Sequence, residues 1–318
     1  MDIYLPIAEM SVPVQHLIGA GLVVGLLSGL FGIGGGFLMT PFLAFMGLPA
    51  AVIVASQAMQ QAGTSLSGAL AQFKRRQVDL QMSFVLIVGS VVGTMAGVQL
   101  FVWLKQIGQI NLVIMICYVS LLSIIGALMF FESAPRLFKK KTKDRRAQRT
   151  TSSRVAAALQ DEVTLGWGAD SVFATEFKVS NLRVNMFVPL GLGVMAGLLV
   201  SLLGVGGGFV MVPAMIYVLK MPPRLVSGTS LVQIVFASAI SGVMHCVLNG
   251  SVDVILTLVM LLGSVMGVPL GARFSYRLRP EIARFLMAVL ILGVAAMLLR
   301  ELIVVPDPKF VVDIKVLP

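Results

Sequence analysis

Two glycine clusters hold the residues best suited to chemistry. Gly34, Gly35 and Gly36 lie in GLLSGLFGIGGGFLMTP, and Gly206, Gly207 and Gly208 lie in GLLVSLLGVGGGFVMVP. Consecutive glycines destabilise a helix by about 1 kcal/mol each relative to alanine, so each apolar run is expected to break there. The break frees backbone N–H groups at the start of the next half-helix, and such groups attract anions. Unwound backbone in hydrocarbon is tolerated only where protein buries it or it lines a wet cavity. Broken apolar helices at matching places in two halves of a chain point to a transporter's substrate site.

A polar segment follows each cluster. The first copy carries Ser56, Gln57, Gln60, Gln61, Thr64, Ser65 and Ser67; the second carries Ser227, Thr229, Ser230, Gln233, Ser238, Ser241 and His245. Gln57, Gln61 and Thr64 share one helical face at i, i+4 and i+7. Carrying the glycine shift onward (206 − 34 = 172) pairs Gln57 with Thr229 and Gln61 with Gln233. Interhelical hydrogen bonds alone are worth about 0.6 kcal/mol on average, so this many polar groups in one span reads better as a hydrated lining. The candidate substrate-binding set is therefore Gly34, Gly35, Gly36, Gln57, Gln61, Thr64, Gly206, Gly207, Gly208, Thr229, Ser230, Gln233 and His245.

His245 is the one candidate titrating group at depth, and a lone membrane histidine also serves as a plain hydrogen-bond partner. Ser230 and His245 alone do not form an activated nucleophile with an oriented base, so no catalytic residue is assigned and an enzyme is not expected. No metal site or cofactor is expected either.

The elements that position these residues recur. Beyond the glycines the shift becomes 174, and GALAQFKRRQVD (Gly68 to Asp79) aligns with GVMHCVLNGSVD (Gly242 to Asp253). Gly89, Gly93 and Gly97 then match Gly263, Gly267 and Gly271. Each copy reads as five apolar helical pieces, the second too short to span a bilayer alone. Asp79 and Asp253 read as N-caps.

Composition fixes the solvent. The 318 residues are 58 % hydrophobic and 12 % charged, with a mean hydropathy of +0.97. Stretches of about 18 or more uncharged residues are long enough to cross roughly 30 Å of hydrocarbon. The net charge of +10 is not a nucleic-acid signal, because nine of the 24 Lys and Arg residues lie between Arg136 and Arg154, beside a span. No nucleic-acid partner is expected. Cys117 and Cys246 both fall inside apolar runs, which argues against a disulfide framework.

Loop charge sets the expected topology. Lys74, Arg75 and Arg76, the basic segment after Glu132, Lys220 with Arg224, and the Arg273–Arg284 loop all read as cytoplasmic. Corresponding loops then have opposite sidedness. The expectation is an all-α integral membrane protein of two inverted repeats, each a glycine-broken helical hairpin plus three transmembrane helices. Residues 1–131 and 187–304 form the repeats, 132–186 a basic cytoplasmic linker and 305–318 a C-terminal tail, with both termini on the outer side. Within the linker, TLGWGADSVFATEFKV alternates weakly and suggests a small hairpin, with Trp167 at the interface.

The doubled G-x-G-G-G, the proline after it, and the polar third helix followed by GALAQFKRRQVD resemble the TauE/SafE family of sulfite and sulfonate permeases. The resemblance covers nearly the whole chain outside the central loop and the tail. It implies a secondary transporter moving sulfite or an organosulfonate across a bacterial inner membrane, with the lipid bilayer and a small anion as partners and a homo-oligomer left open. A passive anion channel, or a membrane scaffold acting through its basic loop, are the alternatives.

Overall fold

A computed structural model describes residues 2–31, 36–138, 164–165, 174–177, 179–180, 182–275 and 280–303. Gly34 and Gly35 lie outside the described residues, as do most of the central linker with Trp167, and the tail 305–318. The first copy comprises α1 (Val14–Phe31), α2 (Gly36–Phe45), α3 (Ala50–Lys74), α4 (Leu80–Gln106) and α5 (Ile110–Phe138). The second comprises α6 (Phe187–Leu203), α7 (Gly208–Tyr217), α8 (Pro223–Met244), α9 (Val254–Ser275) and α10 (Pro280–Ile303). The protein is an all-α membrane protein: Val14–Phe31, Leu80–Gln106, Ile110–Phe131, Arg224–Asn249 and Val254–Phe274 are each long and apolar enough to cross a bilayer.

Two small sheets flank the helices. β1 (Asp2–Leu5) and β2 (Met10–Pro13) form an antiparallel hairpin that the sequence reading did not anticipate. In the linker, β3 (Thr164–Leu165) pairs parallel with β5 (Leu182–Asn185), which pairs antiparallel with β4 (Ala174–Phe177). The suggested hairpin within 164–179 is therefore replaced by pairing of both its strands with β5. α5 also runs on to Phe138, into the segment assigned to the linker.

The two copies interlock. α1 lies along α9, and reciprocally α6 lies along α4, while α3 packs on α8 and α5 on α10. Glycines make the first two contacts close. A methyl group on Gly25 would come within 2.3 Å of the Ser264 carbonyl oxygen, and one on Gly93 within 2.0 Å of that of Val194. Along α1 and α9 the contacts run Gly21 to Met260, Gly25 to Ser264 and Gly29 to Val268, so these helices are parallel. Gly68 meets Leu231 whereas Gly242 meets Met59, so α3 and α8 are antiparallel. Gly126 meets Ile291 and Phe130 stacks on Phe285, which makes α5 and α10 antiparallel too. In these two pairs, equivalent helices of the two copies run in opposite directions.

Each broken pair is a hairpin that leaves from and returns to one end of the bundle. Leu17 of α1 and Leu43 of α2 share an apolar cluster with Leu5 and Val12 of the β1–β2 hairpin. At the other end, Met215 and Leu219 cluster with Phe177 and Val184 of the linker sheet. The fourth helices are capped alike. Asp79 accepts from Gln81 N and Met82 N at 3.1 Å and from Ser180 Oγ at 2.5 Å. Asp253 accepts from Leu256 N at 3.0 Å and from Ile7 N at 3.1 Å. Both helices carry the expected caps.

These caps also correct the repeat register. Asp79 N donates to Thr229 Oγ1 at 3.1 Å and Asp253 N to Ser56 Oγ at 2.8 Å, so Thr229 is the counterpart of Ser56, not of Gln57. The shift here is 173 (229 − 56), and Gln233 becomes the counterpart of Gln60. It reaches 174 at Asp253 because His245–Asn249 forms a π-turn, which accommodates one extra residue.

Candidate functional site

The hairpin tips meet in the middle of the fold. Phe37 and Phe209, each directly after its glycine cluster, stack with ring centroids 5.9 Å apart. A methyl group on Gly36 would lie 2.6 Å from the Val205 carbonyl oxygen, so the start of α2 abuts the second elbow. That elbow runs through Gly204, Gly206 and Gly207 at φ of +68°, +76° and +65°, backbone that L side chains adopt only under strain. It lies against α3: a Cβ on Gly204 would meet the Val54 carbonyl oxygen at 2.8 Å, and one on Gly206 would meet Gln61 Nε2 at 2.7 Å.

No side chain caps α7. Its N-cap is Gly207, whose carbonyl accepts from Val210 N and Met211 N. The dipole end of α7, at Gly208, follows directly on this elbow, whose Val205 and Gly206 lie against Gly36 and Gln61. On the other hairpin, Gln57 Nε2 donates to the Gly36 carbonyl, and Thr40 Oγ1 donates to Gln57 Oε1 at 2.5 Å. Pro41 has no N–H, so the Phe37 carbonyl lacks its i+4 donor within α2. The Tyr118 hydroxyl supplies one at 3.0 Å.

A cavity of about 510 Å³ leads to this network from the end of the bundle that carries the β1–β2 hairpin. Thr40, Pro41, Ile53, Asn111, Tyr118 and Leu298 are among its lining residues.

The structure thus gathers Gly36, Gln57, Gln61, Gly206, Gly207 and Gly208 at the hairpin tips. It places the other candidates elsewhere. Thr64 Oγ1 pairs with Ser264 Oγ at 2.8 Å across the α3–α9 contact. Thr229 holds the α4 cap, and Ser230 Oγ donates to the Ser227 carbonyl of its own helix at 3.1 Å. Gln233 is fully buried, and neither its Nε2 nor its Oε1 has a hydrogen-bond partner; Gln60 Oε1, Ser238 Oγ and Ser241 Oγ share that condition. Unsatisfied polar atoms in a membrane interior cost several kcal/mol each, roughly, so these atoms would be stabilised by a polar partner.

His245 lies 12 residues beyond Gln233 along α8, or roughly 18 Å at 1.5 Å per residue. Its Nε2 is 2.9 Å from the Ser201 carbonyl oxygen, and Asn249 Nδ2 is 2.8 Å from its Nδ1. A carbonyl only accepts, so the Nε2–H tautomer is assigned. Phe101 meets the ring edge-on at 4.6 Å between centroids.

Sequence reasoning missed Thr40 and Tyr118. The available signals were a hydroxyl next to an intrahelical proline, and a tyrosine hydroxyl in an apolar span that requires a partner.

Comparison with known proteins decides the family. Residues 17–298 match the family described as sulfite exporter TauE/SafE. The chain belongs to this family. The TauE/SafE match covers both glycine hairpins and all the helices that hold them, and the protein is a multi-pass membrane transporter. It is similar to the probable membrane transporter protein YunE of Bacillus subtilis (strain 168), at 24 % identity over 90 % of this chain and 97 % of the relative. It is also similar to the probable membrane transporter protein YjnA of the same organism, at 26 % identity over 86 % of this chain and 94 % of the relative. No solved structure matches this TauE/SafE chain.

Proposed function

We propose that the protein is a secondary transporter that carries a small sulfur-containing anion, sulfite or an organosulfonate, across the bacterial inner membrane. The observation carrying this reading is the contact of Gly36 and Gln61 with the Val205–Gly206 elbow, which leads directly into the uncapped N-terminus of α7. Backbone N–H groups and neutral amides can hold an oxyanion without a fixed counter-charge, which keeps binding weak enough for release. Gly34 and Gly35 join the proposed site on sequence grounds, and Gln233, whose buried amide has no partner, is a further candidate donor.

The repeats are inverted about an axis in the membrane plane. Support comes from the antiparallel run of α3 against α8 and of α5 against α10, since a two-fold that reverses membrane-normal helices lies in that plane. Lys74, Arg75, Arg76, Lys220 and Arg224 flank one end of the α3–α8 pair, and Asp2 and Glu9 belong to the hairpin at the other. The basic end is cytoplasmic by the positive-inside rule, and both termini lie outside.

A thermal-shift series with purified protein against sulfite, sulfate, thiosulfate, sulfoacetate and taurine tests the assignment. A ligand at 100 times its Kd stabilises the folded state by about 2.7 kcal/mol. Stabilisation by one or more of these anions, with saturating flux of the same anion in proteoliposomes, is the expected result. No shift with any of them refutes the substrate class, and flux that never saturates indicates a channel.

A further inference from the structure

The bilayer-facing surface bears a groove of about 520 Å³ where the C-terminal half of α3, the N-terminal half of α4 and the middle of α8 meet. Its walls are apolar: Leu66 and Phe73 from α3, Leu80 and Phe84 from α4, Val235 and Phe236 from α8. Ser83, the polar residue of the lining, spends its hydroxyl on the Asp79 carbonyl at 2.8 Å. The mouth is basic. Phe73 is followed at once by Lys74, Arg75 and Arg76, all exposed. Arg224, also exposed, lies on the same α8 face as Val235, at i and i+11. One turn along that face, Gly228 brings α8 against the Gln77 carbonyl, so Arg224 and the α3–α4 loop flank the same end.

Backbone conformation also sets two residues of the basic end apart from their repeat counterparts. Arg76 is held at φ +55° and Lys220 at φ +56°. Their repeat counterparts at the opposite end are glycines, Gly250 at φ +57° and Gly47 at φ +86°. A glycine would meet the same left-handed turns without strain, yet at the basic end each turn keeps a long cationic side chain.

We propose that this groove binds an anionic phospholipid, with an acyl chain between Phe73, Phe84 and Phe236 and the headgroup phosphate held by Lys74, Arg76 and Arg224. The occupant follows from charge complementarity: an apolar trough ends at a cluster of cations. A bound lipid would bridge α3 and α8, the antiparallel pair that supports both hairpin tips.

The test is native mass spectrometry of the delipidated full-length protein titrated with phosphatidylglycerol or phosphatidylcholine. Wild type should bind phosphatidylglycerol at least fivefold more tightly, with the preference falling as salt rises. Lys74→Gln/Arg76→Gln/Arg224→Gln should weaken phosphatidylglycerol about tenfold or more, since each surface cation contributes about a fivefold factor. Val235→Trp, which fills the trough from a half-buried, bilayer-facing position, should weaken both lipids. Thermal melting of each variant without lipid separates a binding loss from misfolding, and Val235→Ile serves as the folded control. Equal affinity for the two lipids overturns the proposal, as does retention of phosphatidylglycerol by the triple variant or by Val235→Trp. A dimer that Val235→Trp dissociates also overturns it, because the groove would then belong to a second copy.

Discussion

Phe37 and Phe209 occupy the same position in the two repeats (209 − 37 = 172) and stack on each other, centroids 5.9 Å apart and planes inclined by 32°. A residue that contacts its own repeat counterpart lies on the axis relating the copies. Gly36 and Gly208 directly precede these rings, so the starts of both short helices are brought to that axis.

Gly206→Ala should abolish transport while leaving membrane insertion intact. The residue sits at φ +76°, and an added Cβ would meet Gln61 at 2.6 Å. Strain of this kind costs about 1–3 kcal/mol, enough to displace the tip without unfolding the bundle. Gly191→Ala, where a Cβ meets nothing within 4 Å, is the matched control and should transport normally. Proteoliposome flux alongside size-exclusion profiles of both variants checks this, and wild-type flux in Gly206→Ala would remove the elbow from the site.

Tyr118→Phe should destabilise the protein by about 1–3 kcal/mol, because it leaves the buried Phe37 carbonyl without a donor. Pro41→Ala restores an N–H at i+4 and should recover much of that loss. A double-mutant cycle read by thermal melting measures the coupling; additive effects would show that the hydroxyl is not the substitute donor.

Gly25→Val and Gly93→Val should each lower stability to a similar degree, by about 1–3 kcal/mol or more, because each drives side-chain atoms into the backbone of the facing helix. Gly19→Val, with nothing within 4 Å of its Cβ, should be close to neutral. Melting temperatures that rank the three differently would contradict the interlocked packing.

Asp79→Ala should cost about 1–2 kcal/mol by removing the α4 cap, and Ser180→Ala should cost less. Since the two side chains share a bond, their losses should be less than additive when combined. Full additivity would mean that the linker segment does not dock on α4.

Topology is open to direct labelling. In a background of Cys117→Ser and Cys246→Ser, Glu9→Cys should react with a membrane-impermeant maleimide added to intact cells with a permeable outer envelope. Lys220→Cys should react only after the inner membrane is broken. Labelling of both from the same side would refute the inverted arrangement.

The period of the apolar runs and the doubled glycines determined the number, order and approximate bounds of the helices. That worked because, in hydrocarbon, every span must satisfy its own backbone and be nearly all apolar, so membrane helices announce themselves locally. Asp79 and Asp253 were legible as caps for the same reason: the cap and its N–H partners are sequence neighbours. The candidate site was legible only in part. Gln57 and Gln61 were found because they flank the glycines in type and spacing, but Thr64, Thr229 and His245 share that polar signature and are used instead for helix contacts, a cap and a bond to Ser201. Which polar side chain turns toward a hairpin tip, and which toward a neighbouring helix, depends on partners about 20 to 250 residues away in sequence. The same distance hid Tyr118, whose task is created by Pro41, and the N-terminal strands, whose Leu5 and Val12 pack in one cluster with residues of α2 and α9. Tertiary structure alone decided the pairing of α1 with α9 and of α4 with α6, because that choice rests on close backbone approach at glycines from both repeats at once.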